Sequence, residues 1–82
     1  MTREEVRQVV LRALRDVAPE VELTGLKPQT RLREELDLDS MDFLNFAIAL
    51  HEALGIEISE TDYPRMATLD GCIDYLATRL RI

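Results

Sequence analysis

The sequence predicts an all-α fold, a small four-helix bundle of three longer helices and one short one with a long first connection. Apolar residues recur at helical intervals in three separate segments, and each segment is preceded by a helix-start signal. No period-two pattern extends beyond the three residues Ile56 to Ile58. Eighty-two residues fit one domain, 1–82, with a narrow stability margin at this size.

Thr2 and Glu5 have capping-box spacing, and Val6, Val9, Val10, Ala13, Leu14 and Val17 follow at helical intervals, so the first helix is expected over about Arg3 to Val17. Pro19, Gly25 and Pro28 then punctuate a stretch whose Val21, Leu23 and Leu26 read as spaced anchors of a packed loop over residues 18 to 38. Inside that loop Thr30 is placed to cap a short turn across RLREEL, with Leu32 and Leu36 pointing inward together.

Asp39 as N-cap and Gly55 as stop signal bracket the strongest helix, Ser40 to Leu54. Ser59 and Asp62 mark another start, but Pro64 keeps any helix around Thr61 to Met66 short. Thr68 is expected to cap the last helix, with Leu69, Cys72, Ile73, Leu76 and Leu80 on one face.

The helix from Ser40 carries two apolar stripes. At about 100 degrees per residue, Phe43, Phe46, Ala47, Leu50 and Leu54 fall in one arc suited to a bundle core. Met41, Leu44 and Ile48 form a second stripe that one helix of a small bundle rarely buries as well, so part of it is expected to face solvent, the alternative being that it packs under the long loop or the short third helix. Asp39, Asp42 and Glu52 rim that stripe with negative charge, the pattern of a docking surface for a partner with an apolar dent and a basic border.

Charge along the chain agrees. Residues 1 to 33 hold seven Arg or Lys against five acids, residues 34 to 62 hold nine acids and no Lys or Arg, and residues 63 to 82 hold three Arg against two acids. Such a middle segment repels a nucleic-acid backbone and suits basic protein surfaces. No apolar run is long enough for membrane insertion, the N-terminal residues carry charge where a secretory signal needs apolar ones, and the single Cys72 excludes an internal disulfide framework. A monomer in the cytoplasm is the resulting expectation.

Within LDLDSMDFL, Ser40 follows the N-cap aspartate. Capping alone explains most serines near such a position, but a helix N-terminus also offers free backbone N–H groups and partial positive charge, which favour a phosphodiester attached there. Calcium binding is excluded by register: counted from Asp37, an EF-hand loop would need a ligand at Met41, Gly at Asp42 and Glu at Ile48. One His and one Cys, with Cys72 on a core-facing stripe and His51 on the surface, supply no catalytic constellation and no metal site.

Asp39-Ser40-Met41 resembles the D-S-L attachment motif of the acyl carrier proteins. The resemblance spans essentially the whole chain, with TRLREELDLDS, DFLNFAIALHEALGIEI and ATLDGCIDYL matching the family's loop, recognition helix and last helix in order and spacing. It implies an acyl-carrier-like bundle that catalyses nothing itself. Ser40 would be esterified with 4'-phosphopantetheine from coenzyme A by a separate phosphopantetheinyl transferase, and the arm's thiol would carry acyl groups as thioesters.

The same resemblance gives Asp39 and Asp42 roles in meeting the transferase, Asp39 near its magnesium. It gives Met41, Leu44, Asn45, Ile48 and Glu52 positions that meet acyl-loading and acyl-processing enzymes of fatty-acid, polyketide or related specialised biosynthesis. Asn45 and His51 depart from the family, since many members carry acids there, and Met41 replaces the commoner Leu. Asp37 and Leu38 stand where peptidyl carriers commonly have Gly-Gly, which favours an acyl-type carrier. The alternatives are an aminoacyl, aryl or D-alanyl carrier with the same arm, and an acidic helical adaptor that is never modified.

Overall fold

The computed structural model describes residues 1–82. Helix α1 spans Arg3–Val17, α2 Leu32–Glu35, α3 Ser40–Leu54 and α4 Leu69–Leu80; a 3-10 turn lies at Leu23–Gly25 and a 3-10 helix at Glu60–Met66. Helices α1 and α3 match the bounds expected from sequence, and α4 starts after Thr68 as expected.

Their ends show why. Thr2 and Glu5 form the reciprocal capping box of α1. Asp39 accepts from the Asp42 N–H, while the Asp42 side chain accepts from the Asp39 N–H, so α3 also opens on a capping box. Gly55 closes α3 at φ 69, a left-handed conformation that costs a side chain about 1 to 2 kcal/mol and costs glycine none. Thr68 caps α4 by accepting from the Gly71 N–H.

One apolar cluster joins α1, α3, α4 and the connections. Val6, Val10 and Leu14 of α1 meet Phe43, Phe46 and Leu50 of α3 and Cys72, Ile73 and Leu76 of α4 in this core. The stretch 18–38 contributes Ala18, Leu23, Leu32, Leu36 and Leu38 to it, so the long connection is a packed element of the fold. Ile56–Ile58 pairs with no strand; Ile56 is buried as a core side chain, and its carbonyl accepts from His51 Nδ1. A strand of three residues without an edge to join has no ladder to stabilise it.

Thr30 corrects one expectation. Its hydroxyl accepts from the Lys27 N–H at 2.8 Å, and α2 is preceded by Arg31 with no side-chain cap. Thr30 is buried because its own carbonyl accepts from the Leu69 N–H, while the Leu32 N–H donates to the Ala67 carbonyl. The chain around Thr30 is therefore stapled to the start of α4, and the hydroxyl is used to tighten the turn that brings it there.

The segment around Pro64 is wound as a 3-10 helix seated on α4 through Tyr75. The Tyr75 hydroxyl donates to Asp62 at 2.7 Å and accepts from Arg79 at 2.8 Å, with the Arg65 guanidinium over the ring. Gly71 makes the close approach feasible: a Cβ there would come within 3.0 Å of the Arg65 carbonyl oxygen and 2.9 Å of Thr68 Oγ1.

Candidate functional site

Ser40 is the first residue of α3 and is exposed. Its position is set from upstream. Helix α2 ends in a Schellman turn: the Leu36 N–H bonds to the Leu32 carbonyl, Asp37 adopts φ 55, and the Leu38 N–H reaches back to the Arg33 carbonyl at 2.9 Å. Leu38 is thereby driven into the core, and Asp39 emerges in the extended conformation of an N-cap. Asp37 was singled out in the sequence as a departure from a Gly-Gly pair; it occupies a left-handed conformation that glycine favours and aspartate tolerates better than most residues.

With both nearby carboxylates turned to the backbone by the capping box, the side chain facing the Ser40 hydroxyl is a cation. Arg33 Nη2 donates to Ser40 Oγ at 3.3 Å, and its guanidinium lies over the Phe43 ring, 5.7 Å from the centroid. Sequence reasoning missed Arg33, since a seven-residue separation across two helix ends leaves no periodic signal.

Beside Ser40 opens a cleft of about 330 Å³ lined by Arg33, Met41, Phe43, Leu44, Glu60 and Tyr63. Tyr63 packs edge-on against Phe43 at 4.9 Å and forms the far wall with the 3-10 helix. A smaller recess of about 130 Å³ continues past Leu44 and Tyr63 to Ile48, His51 and Ile58. Phe43 and Phe46 are buried core residues, and Phe43 also presents ring surface to the cleft, whereas Ile58 is half-buried at the recess.

The second stripe of α3 is open to solvent: Met41 is 62% exposed, Ile48 45% and Leu44 38%. Asn45 and Glu52 are exposed beside them, so five of the residues expected to meet partners share one accessible face with Ser40, while Asp42 is half-buried off that face. No group of His, Cys, Asp or Glu is arranged to hold a metal ion. Cys72 is fully buried, and burial pushes its thiol up to about 12. That thiol is not poised as a nucleophile.

A larger hollow, about 370 Å³, lies between the start of α1, the Leu26–Pro28 segment and α4, and shares no residue with the Ser40 cleft. Arg3, at its rim, is paired with Asp70 and Asp74.

Ser40 thus stands exposed at the mouth of a cleft on a small helical body, the arrangement expected of a carrier domain. The family profile described as a phosphopantetheine attachment site matches residues 4–76. An acyl carrier protein of Rubrobacter xylanophilus is 33% identical over 76 residues, covering 93% of each chain. One of Campylobacter hominis is 33% identical over 73 residues, covering 89% of this chain and 86% of its own. A solution structure assigned as an acyl carrier protein of Anaplasma phagocytophilum superposes with a TM-score of 0.83 at 27% identity, over 96% of this chain and 92% of that one.

This chain belongs to the acyl carrier protein family. It is a carrier and not a catalyst, of a family whose members bear covalently attached 4'-phosphopantetheine. No helix is long and apolar enough to cross a membrane.

Proposed function

We propose that Ser40 is the residue that carries the arm, and that the protein is a single-domain cytoplasmic carrier of acyl intermediates in fatty-acid, polyketide or related specialised biosynthesis. The observation that carries the assignment to Ser40 is its exposure at the first position of α3, between an engaged capping box and an apolar cleft. The Ser40 hydroxyl would attack the pantetheine-bearing phosphorus of coenzyme A on a magnesium-dependent transferase. A serine–phosphate bond forms, the pyrophosphate bridge breaks, and the hydroxyl proton and adenosine 3',5'-bisphosphate leave. When bound, the group supplies a terminal thiol that holds acyl cargo as a thioester on a flexible tether.

The chain's own residues do the rest. Free N–H groups at the α3 N-terminus favour the phosphodiester charge. Asp39 and Asp42 fix that helix end and face the transferase. Met41, Leu44, Asn45, Ile48 and Glu52 present an apolar strip with a sparse acidic rim to partner enzymes with basic surrounds. Tethering makes delivery near-intramolecular once the body docks, so docking itself can stay weak and release quickly. Asn45 and His51, which stand where many family members carry acids, favour a dedicated partner set over the general fatty-acid machinery.

The first test incubates purified protein with coenzyme A, magnesium and a broad-specificity transferase, and records intact mass beside Ser40→Ala. One phosphopantetheinyl addition in the wild type alone supports the assignment. No addition under conditions that modify a known carrier would sink it and favour an unmodified adaptor. The cargo class, acyl against aminoacyl, aryl or D-alanyl, is then read from the species found on the thiol of protein purified from its source cells.

A further inference from the structure

We infer that Arg33 is a positioning residue for the prosthetic arm: its guanidinium binds the phosphodiester on Ser40 and holds the root of the arm on the side of the Phe43–Tyr63 cleft. The inference rests on the Ser40 assignment above and adds to it a residue outside the attachment motif.

Three observations and one chemical argument carry it. Arg33 Nη2 already donates to Ser40 Oγ at 3.3 Å, so the guanidinium sits beside the atom on which the phosphate would be built. Esterification makes Oγ a bridging oxygen and a poor acceptor, while adding anionic non-bridging oxygens next to it; the planar guanidinium fork suits those oxygens. The ion pairs of the chain are made by Arg3, Arg7 and Arg31, and Arg33 is in none of them, so binding a phosphate displaces no carboxylate. Among the residues lining the cleft, Arg33 is the one cation.

Its placement is also held in advance. The Arg33 carbonyl is tied to the Leu38 N–H by the Schellman turn, and the side chain lies over the Phe43 ring. The side chain is exposed, so these contacts orient the guanidinium toward Ser40 while leaving it open to a phosphate. The consequence is directional: an arm rooted between Arg33 and the start of α3 leans over Phe43 and Tyr63, which line the cleft, and not over the opposite face of the helix. Without the guanidinium, the phosphodiester would swing freely beside a segment, residues 34 to 62, that holds nine acids and no other cation.

The test compares apo and holo wild type with Arg33→Gln and Arg33→Lys, each holo form verified by intact mass against Ser40→Ala. The Arg33 Nε–H correlation in a ¹H–¹⁵N spectrum, assigned by its loss in Arg33→Gln, is expected to shift on modification of the wild type. The ³¹P resonance of holo Arg33→Gln is expected to move away from the wild-type value, with the wild type approaching it at about 1 M salt as screening removes the pair. Arg33→Lys, which keeps the charge and loses the fork, should fall between them. A verified holo wild type with an unmoved Arg33 Nε–H signal and a ³¹P resonance shared with Arg33→Gln would overturn the inference while leaving the Ser40 assignment standing. Absence of the mass addition itself would remove both, and it is read before any spectrum is taken.

Discussion

Helix α3 carries apolar side chains on two faces that meet opposite fates. Phe43, Phe46, Ala47 and Leu50 are at most 4% exposed, whereas Met41, Leu44 and Ile48 are 38% exposed or more. Residue type does not separate the two sets. What separates them is whether α1, α4 and the first connection have surface left to cover each arc, and in a body this small they cover only one. The uncovered stripe begins next to Ser40, and that exposure is what supports the proposed face for transient partners.

The contrast is broken most severely from its buried side. Phe46→Ala removes a fully buried ring and should lower stability by about 3 to 5 kcal/mol, a large part of a usual total of roughly 5 to 15, as read from urea unfolding. Survival of Phe46→Ala with under about 1 kcal/mol of loss would mean that the buried face is not the core described here.

Tyr75→Phe comes next. It leaves the ring in place and removes the hydroxyl between Asp62 and Arg79, costing about 1.5 to 3 kcal/mol if the charged bond counts in full. The loss should concentrate in faster amide exchange over Glu60–Met66, the wall of the cleft, with α1 little changed.

Asp39→Ala tests the junction of the two faces. Losing the acceptor for the Asp42 N–H should cost about 0.5 to 2 kcal/mol, and Asp39→Asn should recover most of that stability. A transferase that reads the carboxylate would still modify Asp39→Asn slowly, which separates capping from recognition.

Ile48→Ala sharpens the comparison from the exposed side. Its stability should change by no more than about 0.5 kcal/mol, while kcat/KM of a partner enzyme for the loaded carrier drops about five- to tenfold if Ile48 anchors docking. Equal kcat/KM for both proteins would remove Ile48 from the docking face.

The smallest effect lies at the other capping box. The Thr2 backbone N–H and hydroxyl hold the Glu5 carboxyl below its ordinary value. A group depressed on folding stabilises above its unfolded pKa and loses that contribution as pH falls through the folded one. Wild type should therefore exceed Glu5→Gln slightly in Tm near neutrality, with the difference vanishing in acid.

Legibility followed the range of the interaction. Thr2, Asp39, Gly55 and Thr68 act on backbone groups within four residues, so the ends of α1, α3 and α4 could be read in order from the sequence. The place of Ser40 at a marked helix start was legible for the same reason, whereas its reading as an attachment site came from the resemblance of Asp39-Ser40-Met41 to a family motif. Thr30 was misread because its burial and bonding depend on Leu69, thirty-nine positions away along the chain. Gly71 gave no signal, since its need for a missing Cβ comes from the Arg65 carbonyl of a neighbouring element.

The sequence by itself determined the longer helices, their N-caps, the division of α3 into two apolar stripes and the place of Ser40 at a helix start, because all of these are set by chemistry repeating over one or two turns. Only the tertiary structure decided how much of the second stripe stays open, how residues 18 to 38 are pinned to α4, and that Arg33 faces Ser40 across the end of α2. Those outcomes depend on which surfaces meet when the chain folds back on itself, a competition for a limited area of contact that no local spacing encodes.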